Sequence, residues 1–229
     1  MAKLARDPGG LAKGIGAAEG VVFGLLGLLV AFTFSGAASR FEDRRHLISQ
    51  EANAIGTAYL RLDLLVAKDQ PELRQLFRRY VEVRATVYQD MQDETKTQAH
   101  LAEGNALQAG IWSKALSASL SPEAAPQAAM LLLPALNDMI DMTTTRATAT
   151  KNHPPLVVYG LLVALGLIGA LLVGYSMSEN TGRSWLHVMA FSAIMSLTVY
   201  VIIDLEYPRM GLIRIGSADQ ILLDLRKGM

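Results

Sequence analysis

The stretch Gly20 to Ser39, GVVFGLLGLLVAFTFSGAAS, decides the fold class. It contains no charged residue, and a helix rising 1.5 Å per residue needs about 20 residues to cross about 30 Å of hydrocarbon. Two further stretches meet the same test: Leu156 to Met177, and Trp185 to Ile203, which contains one imidazole, His187. The sequence therefore predicts an all-α membrane protein with three transmembrane helices.

A charged segment separates the first two spans. Residues 40–153 carry nearly equal numbers of acidic and basic side chains, and their apolar residues recur at helical spacing. No Pro or Gly interrupts Arg40 to Ile55, so we expect the first span to continue as one long helix into water. The recurring face beyond the span consists of Leu47, Ile48, Glu51, Ile55, Tyr59, Leu62 and Leu65.

The predicted organisation has six parts. They are a short basic tail over 1–19, transmembrane helix 1 over 20–39, a large helical aqueous domain over 40–153, transmembrane helix 2 over 156–177, transmembrane helix 3 over 185–203, and a C-terminal acidic turn and tail over 204–229.

Two helices are predicted within the aqueous domain. One opens at Asp69-Gln70-Pro71, because proline is tolerated in the first helical turn. Its apolar stripe consists of Leu73, Leu76, Phe77, Tyr80, Val83, Val87 and Met91. The other covers roughly 126–149 and contains Pro134 as a potential kink. Around Gly104 and Gly110 the pattern weakens, and residues 117–125 are typical of a turn.

Composition and motifs exclude several function classes. The chain has no Cys, which excludes a disulfide scaffold, a thiolate metal site and a cysteine nucleophile. Its 21 basic and 21 acidic residues balance, so nothing indicates a nucleic-acid partner. The four histidines are scattered, and no nucleophile elbow, P-loop or dinucleotide fingerprint occurs. We predict no catalytic residue, no metal site and no enzymatic activity.

Glycines mark two of the spans. Gly20, Gly24 and Gly27 lie along one side of the first, and Gly166 and Gly169 mark the second. Small residues let helix backbones approach closely in lipid. Two interpretations stay open: packing among the three helices of one chain, or association of identical chains.

Basic residues near the membrane ends favour a cytoplasmic aqueous domain. The larger group, on the side of that domain, is Arg40, Arg44, Arg45, Arg146, Lys151, Arg209 and Arg214, and the smaller, on the other side, is Lys3, Arg6, Lys13 and Arg183. Because cytoplasmic loops are enriched in Lys and Arg, we expect the N-terminal tail outside and the C-terminus inside.

The segment after the third span contains two carboxylates, Asp204 and Glu206, followed by Pro208 and Gly211. Residues two apart on a helix point in different directions, so these carboxylates share one cation only if the helix has already ended. The alternative is that the segment caps the helix and turns the chain at the membrane surface.

Two segments resemble the bestrophin channels, and more closely the bestrophin-like membrane proteins of bacteria and plastids. One is LLGLLVAFTFSGAASRFEDRRHLISQEAN, residues 25–53, and the other is DLEYPRMG, residues 204–211, which is similar to the acidic turn after the last bestrophin span. The order of span, helical domain, two spans and acidic turn is also similar. The chain departs from the family at residues 1–19, whose Pro8 and Gly9 do not suit a further span, and at Arg209-Met210, where an aromatic residue is expected.

The resemblance implies a homo-oligomer, with a pentamer favoured, whose central pore is lined by residues 20–39. It implies a channel for small anions such as chloride in a bacterial inner membrane, with lipid and the permeant ion as its other partners. The family's constriction would fall near Gly24, Leu28 and Phe32, and because Gly24 is small, the narrow part is either shorter or involves Leu25. Lipid contact or helix packing is the alternative interpretation of Leu28 and Phe32.

The resemblance also raises the question of cofactors. A calcium clasp at Asp204 and Glu206 is the one cofactor site that it suggests, and otherwise no cofactor is predicted. A hypothesis of another class is a non-conducting membrane scaffold or sensor that binds a partner through its cytoplasmic helices. Its interaction surface would be the stripe of Leu73, Leu76, Tyr80, Val83 and Val87.

Overall fold

A computed structural model describes residues 8–87, 94–177, 185–209 and 211–229. All regular structure in those residues is helical, which confirms the all-α prediction. The elements are α1 Pro8–Leu60, a 3-10 turn Arg61–Leu64, α2 Gln70–Val87, α3 Glu94–Ser119, α4 Ala128–Lys151, α5 Leu156–Met177, α6 Trp185–Glu206 and α7 Gly216–Lys227. Lys3, Arg6, Met91, Arg183 and Met210, which entered the sequence predictions, lie outside the described residues.

Three helical segments are long and apolar enough to cross a membrane: Glu19–Leu64, Ala128–Tyr175 and Val188–Glu206. Each overlaps one of the predicted spans, so the chain is a helical membrane protein. α1 confirms that the first span continues as one helix beyond Arg40. It also begins earlier than the predicted span, at Pro8, where a residue without a backbone N–H costs no helical hydrogen bond.

The chain forms two compact units. Unit 1 comprises Met1–Phe41 and His153–Ile213, and unit 2 comprises Glu42–Asn152 and Arg214–Met229. The first part of α1 therefore belongs to unit 1 and its remainder to unit 2.

In unit 1 the first part of α1 packs with α5 and α6. The buried core residues are Leu26, Ala37, Leu162, Ile202 and Leu205. Around them, Phe23 of α1 meets Phe191 of α6 edge to face, with ring centroids 5.7 Å apart. Edge-to-face pairs of this kind add to the packing that holds helices together where burial from water contributes little.

In unit 2 the predicted helix faces are buried. α2 begins at Gln70 with Pro71 in its first turn, as predicted. The remainder of α1 buries Ile48, Ile55 and, just after it, Leu62 in the same core. The buried members of the α2 stripe are Leu73, Phe77, Tyr80, Val83 and Val87, while Leu76 is half-buried. α4 corresponds to the helix predicted over 126–149 and contains Pro134.

Two helices were not predicted. α3 runs through Gly104 and Gly110, and its buried face includes Gly104, Gln108, Ile111 and Ala115. Helical spacing is kept on that face, but most of its residues are small or polar, so the hydrophobic pattern is weak. α7 lies in the stretch predicted to be a C-terminal tail, and its Leu222 is fully buried.

Candidate pore surface and buried charged clusters

One side of α1 in unit 1 is open. Leu25 is 51% exposed, Leu28 53% and Phe32 67%, whereas Leu26 and Ala37 on the other side are buried. At 3.6 residues per turn, the middle of the open side passes through Gly24, Leu28, Ala31 and Ser35, all of them exposed. Leu28 therefore lies at the centre of the open face, and Leu25 and Phe32 lie towards one edge.

Three glycines of α1, Gly20, Gly24 and Gly27, lie on the open face. A methyl group added at Gly20, Gly24 or Gly27 would meet nothing within 4 Å among the described residues. The described residues of the same chain therefore do not pack against these three glycines. We call the exposed surface of residues 20–35 the small-residue face.

The open faces of α5 and α6 expose large aliphatic and aromatic side chains among smaller residues such as Ala164 and Ser192. Exposed on α5 are Leu156, Val157, Leu161, Val163, Leu167 and Leu171, and on α6 Trp185, Leu186, Met189, Ile194 and Leu197. Large apolar side chains suit contact with lipid tails, and we call the open faces of α5 and α6 the bulky faces. The small-residue face also exposes Val21, Leu25, Leu28, Phe32 and Phe34, and along its centre Leu28 alternates with Gly24, Ala31 and Ser35.

The two glycines of α5 differ from each other. A methyl group at Gly169 would lie 3.2 Å from Cε1 and 3.3 Å from Cζ of Phe23, so Gly169 provides the space for an α1 aromatic ring. A methyl group at Gly166 would meet nothing within 4 Å among the described residues. Of the two, Gly169 lies at a helix contact within the chain.

A buried ion cluster follows the α1 span. Glu206, 1% exposed, accepts a hydrogen bond from Arg40 Nε at 2.7 Å, and Arg40 Nη2 pairs with the same oxygen. The other carboxylate oxygen lies 3.2 Å from His153 Nδ1, and the His153 ring stacks on Tyr207 with centroids 4.6 Å apart. Glu206 thus joins Arg40, which follows the first predicted span, to His153, which precedes Pro154.

The other carboxylate of the acidic turn, that of Asp204, binds backbone N–H groups. Asp204 Oδ2 accepts hydrogen bonds from the N–H groups of Leu212 at 3.1 Å and Ile213 at 3.0 Å. A methyl group at Gly211 would overlap the Asp204 carboxylate, so only glycine allows this approach. Asp204 therefore caps the turn, as one sequence interpretation expected. Among the described residues, no group of three or more His, Asp or Glu is placed to hold a metal ion.

A second charged cluster lies in unit 2. Glu51, whose side chain is fully buried, accepts a hydrogen bond from Arg84 Nε at 2.6 Å and pairs through its other oxygen with Arg146. Burial alone would raise the pKa of Glu51, but the charges and hydrogen bonds of the two arginines outweigh burial and hold the pKa below its usual value. The sequence contained one indication of this cluster, because Glu51 lies among the apolar residues of the predicted helix face.

The α2 stripe, proposed above as the binding surface of a scaffold, is buried inside unit 2. Leu73, Tyr80, Val83 and Val87 are each at most 3% exposed. Because these side chains form the core of the unit, they do not present an open surface to a partner protein.

A sequence model of the bestrophin-like domain family matches residues 11–219 of the chain. The match covers the open face of α1, both turn carboxylates and the Glu51 cluster. No curated protein and no solved structure matches the chain significantly.

Proposed function

The chain belongs to the bestrophin-like domain family, and from that premise we propose that it is an oligomeric channel for small anions. The family is channel-like in general and is not enzymatic. In the proposal, copies of the chain surround a central pore, and the small-residue face of α1 lines it. A pentamer is the favoured stoichiometry, and lipid and the permeant anion, such as chloride, are the other partners.

The family match and the open, uncharged face of α1 together are the observations that carry the proposal. On this face a methyl group added at Gly20, Gly24 or Gly27 would meet nothing within 4 Å among the described residues, while Leu28 and Phe32 are more than half exposed. Small residues permit close contact between helices of neighbouring subunits, and apolar side chains between them can narrow a pore.

The constriction is proposed at Leu28, with Phe32 one helical turn further and Leu25 beside it. A ring of apolar side chains in a narrow pore hinders ions by excluding water, without any charged group. No charged residue occurs between Gly20 and Ser39, so the proposed barrier is apolar. Anion preference in this proposal follows from the family and not from a charged ring.

The proposal places unit 2 on the cytoplasmic side of a bacterial inner membrane, because the larger group of basic residues then lies inside. Conduction is proposed to need no cofactor. Asp204 and Glu206 each engage protein donors, namely two backbone N–H groups for Asp204 and Arg40 for Glu206. Calcium would have to displace those donors in order to bind between the carboxylates.

Planar-bilayer recording of the purified oligomer tests the function. We expect anion currents, and we expect Leu28→Ala or Phe32→Ala to raise the single-channel conductance, because the apolar barrier becomes lower. Lowering the barrier by about 1 kcal/mol raises the flux roughly fivefold. Leu171→Ala removes the same side chain as Leu28→Ala from the bulky face of α5 and should leave the conductance unchanged.

Two results would contradict the proposal. One is the absence of current from correctly assembled oligomers. The other is an equal response to Leu28→Ala and Leu171→Ala, which would show that the small-residue face does not differ from a lipid-facing surface. Burial of the α2 stripe removes the observation on which the scaffold hypothesis depended.

A further inference from the structure

The two carboxylates of the acidic turn lie on one continuous helix. α6 ends at Glu206, so Asp204 and Glu206 are both helical residues. Side chains two residues apart on a helix do not face each other. The condition under which these carboxylates could share one cation, a helix that ends before them, is therefore not met.

Groups of the protein already bind both carboxylates. Asp204 Oδ2 accepts hydrogen bonds from two backbone N–H groups, at 3.1 and 3.0 Å. Glu206 Oε1 accepts a hydrogen bond from Arg40 Nε at 2.7 Å, and its Oε2 lies 3.2 Å from His153 Nδ1. Calcium takes about six to eight oxygen ligands, and the described residues hold no group of three or more His, Asp or Glu placed to bind a metal ion. The calcium clasp that the resemblance suggests does not fit this turn.

The backbone of α1 leaves space for the guanidinium group of Arg40. A methyl group at Gly36 would lie 3.2 Å from Nη1 and 3.3 Å from Nη2 of Arg40. The two residues are four apart and therefore neighbours on one side of the helix. The side chain of Glu206 has no exposed surface, whereas 25% of the Arg40 side chain is exposed. The guanidinium group thus lies between the glycine of α1 and the carboxylate of α6.

This contact lies at the end of the first predicted span. Arg40 directly follows Ser39, the last residue of that span, and His153 comes shortly before α5. Through its two oxygens, the single carboxylate of Glu206 contacts a residue of α1 and the residue that precedes Pro154. Hydrogen bonds between charged partners are among the stronger polar contacts in proteins. The arrangement therefore ties the end of the span to α6.

We propose that the guanidinium group of Arg40 takes the place of a bound cation in this turn. Arginine keeps its charge in proteins, so α1 is anchored to α6 without calcium. Arg40 is then a positioning residue of the proposed pore: it holds the small-residue face in place through Glu206 and does not contact the permeant ion. This positioning role rests on the proposed function, whereas the anchor and its indifference to calcium do not.

Thermal unfolding of the purified full chain in detergent tests the anchor. Arg40→Gln leaves a buried carboxylate without its guanidinium partner and should lower the unfolding temperature. Adding Glu206→Gln removes that charge, so the double variant should unfold at a higher temperature than Arg40→Gln alone. Arg45→Gln is the matched control, since Arg45 pairs with Glu42 on an exposed surface and its loss should change the unfolding temperature little.

Gly36→Val is a second variant that keeps both charges. Its side chain would press on the guanidinium group of Arg40, so it should lower the unfolding temperature of the wild type. In the double variant of Arg40 and Glu206 the guanidinium group is gone, and Gly36→Val should then have a smaller effect.

Calcium chloride added to the same protein gives an independent measurement. A ligand that binds only the folded state raises the unfolding temperature. With magnesium chloride at equal concentration as the reference, calcium should not raise the unfolding temperature of the wild type. In bilayer recordings, the wild-type currents should be equal with calcium and with a calcium chelator on either side of the membrane.

The recordings also separate positioning from stability. Arg40→Gln should change the single-channel conductance, because α1 is no longer held to α6. Adding Glu206→Gln should raise the unfolding temperature but should not restore the wild-type conductance, because two neutral amides form a weaker contact than an ion pair.

Four results would overturn the proposal. They are a calcium-specific rise in the unfolding temperature that Glu206→Gln abolishes, currents that require calcium, a double variant that is no more stable than Arg40→Gln, and wild-type conductance in Arg40→Gln. Absence of current from the wild type would contradict the channel function instead, and the unfolding measurements would still decide whether Arg40 replaces a cation.

Discussion

At Glu51 a single carboxylate balances two buried guanidinium groups. Its partners, Arg84 and Arg146, are 33 and 95 residues away in sequence and only 4% exposed. An arginine cannot lose its charge in a protein, so without the carboxylate both charges would remain buried and unbalanced. Glu51 thus joins α1, α2 and α4 of unit 2 by electrostatic attraction as well as by packing.

Glu51→Gln should destabilise unit 2 strongly. Removing one partner from a buried ion cluster typically costs about 3–5 kcal/mol, because the remaining charges stay buried without compensation. The measurement is the free energy of unfolding in detergent by chemical denaturation. Glu123→Gln is the control, since Glu123 pairs with Lys68 at 2.6 Å on an exposed surface and should change stability little. Equal effects of the two variants would contradict a structural role for the cluster.

The same residue predicts a pH dependence. Because the pKa of Glu51 is lower in the folded chain than the ordinary value of 4.5, its contribution to stability is fully present above that value. The contribution is lost as the pH falls through the lowered pKa. The gap in stability between wild type and Glu51→Gln should therefore stay constant from neutral pH to about pH 5 and narrow below about pH 4.5. Unfolding temperatures of both proteins across this range provide the test, and a gap that widens with acid would contradict it.

Gly211 is required for a close approach and not for an unusual backbone conformation, since no described glycine has a positive φ angle. In Gly211→Ala the new methyl group would overlap the Asp204 carboxylate and force it away from the N–H groups of Leu212 and Ile213. Losing these bonds should cost about 1–3 kcal/mol. Unfolding temperature measures the loss.

A double-mutant cycle identifies the cause. Asp204→Asn weakens the same acceptor, so its effect and that of Gly211→Ala should not add when the two are combined. Gly216→Ala is the matched control, because a methyl group there would meet nothing within 4 Å among the described residues. Additive effects would show that Gly211 acts through some other contact.

At the scale of the elements, the sequence predicts best where one chemical signal dominates. α5 and α6 follow from uncharged stretches, and the start of α2 follows from Pro71. α3 was missed because Gly104 and Gln108 occupy its buried face. α7 was missed because a helix of 12 residues after a proline-containing turn resembles a tail. Both of these helices are stabilised by contacts within unit 2 that local periodicity does not reveal.

The contact between α1 and α5 gives a prediction at this scale. Gly169→Val would place methyl groups where the Phe23 ring now lies, and the ring also contacts Phe191. Overpacking of this kind typically costs about 1–3 kcal/mol. We expect a lower unfolding temperature in detergent than for Gly174→Val, because a methyl group at Gly174 would meet nothing within 4 Å among the described residues. A result in the opposite order would argue against this helix contact.

At the scale of the whole molecule, the sequence predicted more of the fold than of the site. Apolar length and helical spacing give the spans, but the partners of Glu51 and Glu206 are brought together only by tertiary structure. Glu206 pairs with Arg40 over 166 residues of chain. The acidic turn was recognisable as a motif. That Asp204 binds backbone N–H groups while Glu206 pairs with Arg40 depends on distances that no local pattern encodes.

The arrangement of several copies is the last property to predict, and the absence of Cys in the chain makes it directly testable. If the small-residue face surrounds a common axis, Ser35→Cys places thiols from neighbouring copies near one another, and mild oxidation should join them into covalent dimers on denaturing gels. Leu171→Cys, on the bulky face of α5, should stay monomeric because lipid separates it from the other copies. Native mass spectrometry of the same particles should give five chains. If Leu171→Cys cross-links and Ser35→Cys does not, α5 and not α1 lies nearest the common axis. The reason is that a side chain surrounded by lipid cannot meet its own copy in a closed ring.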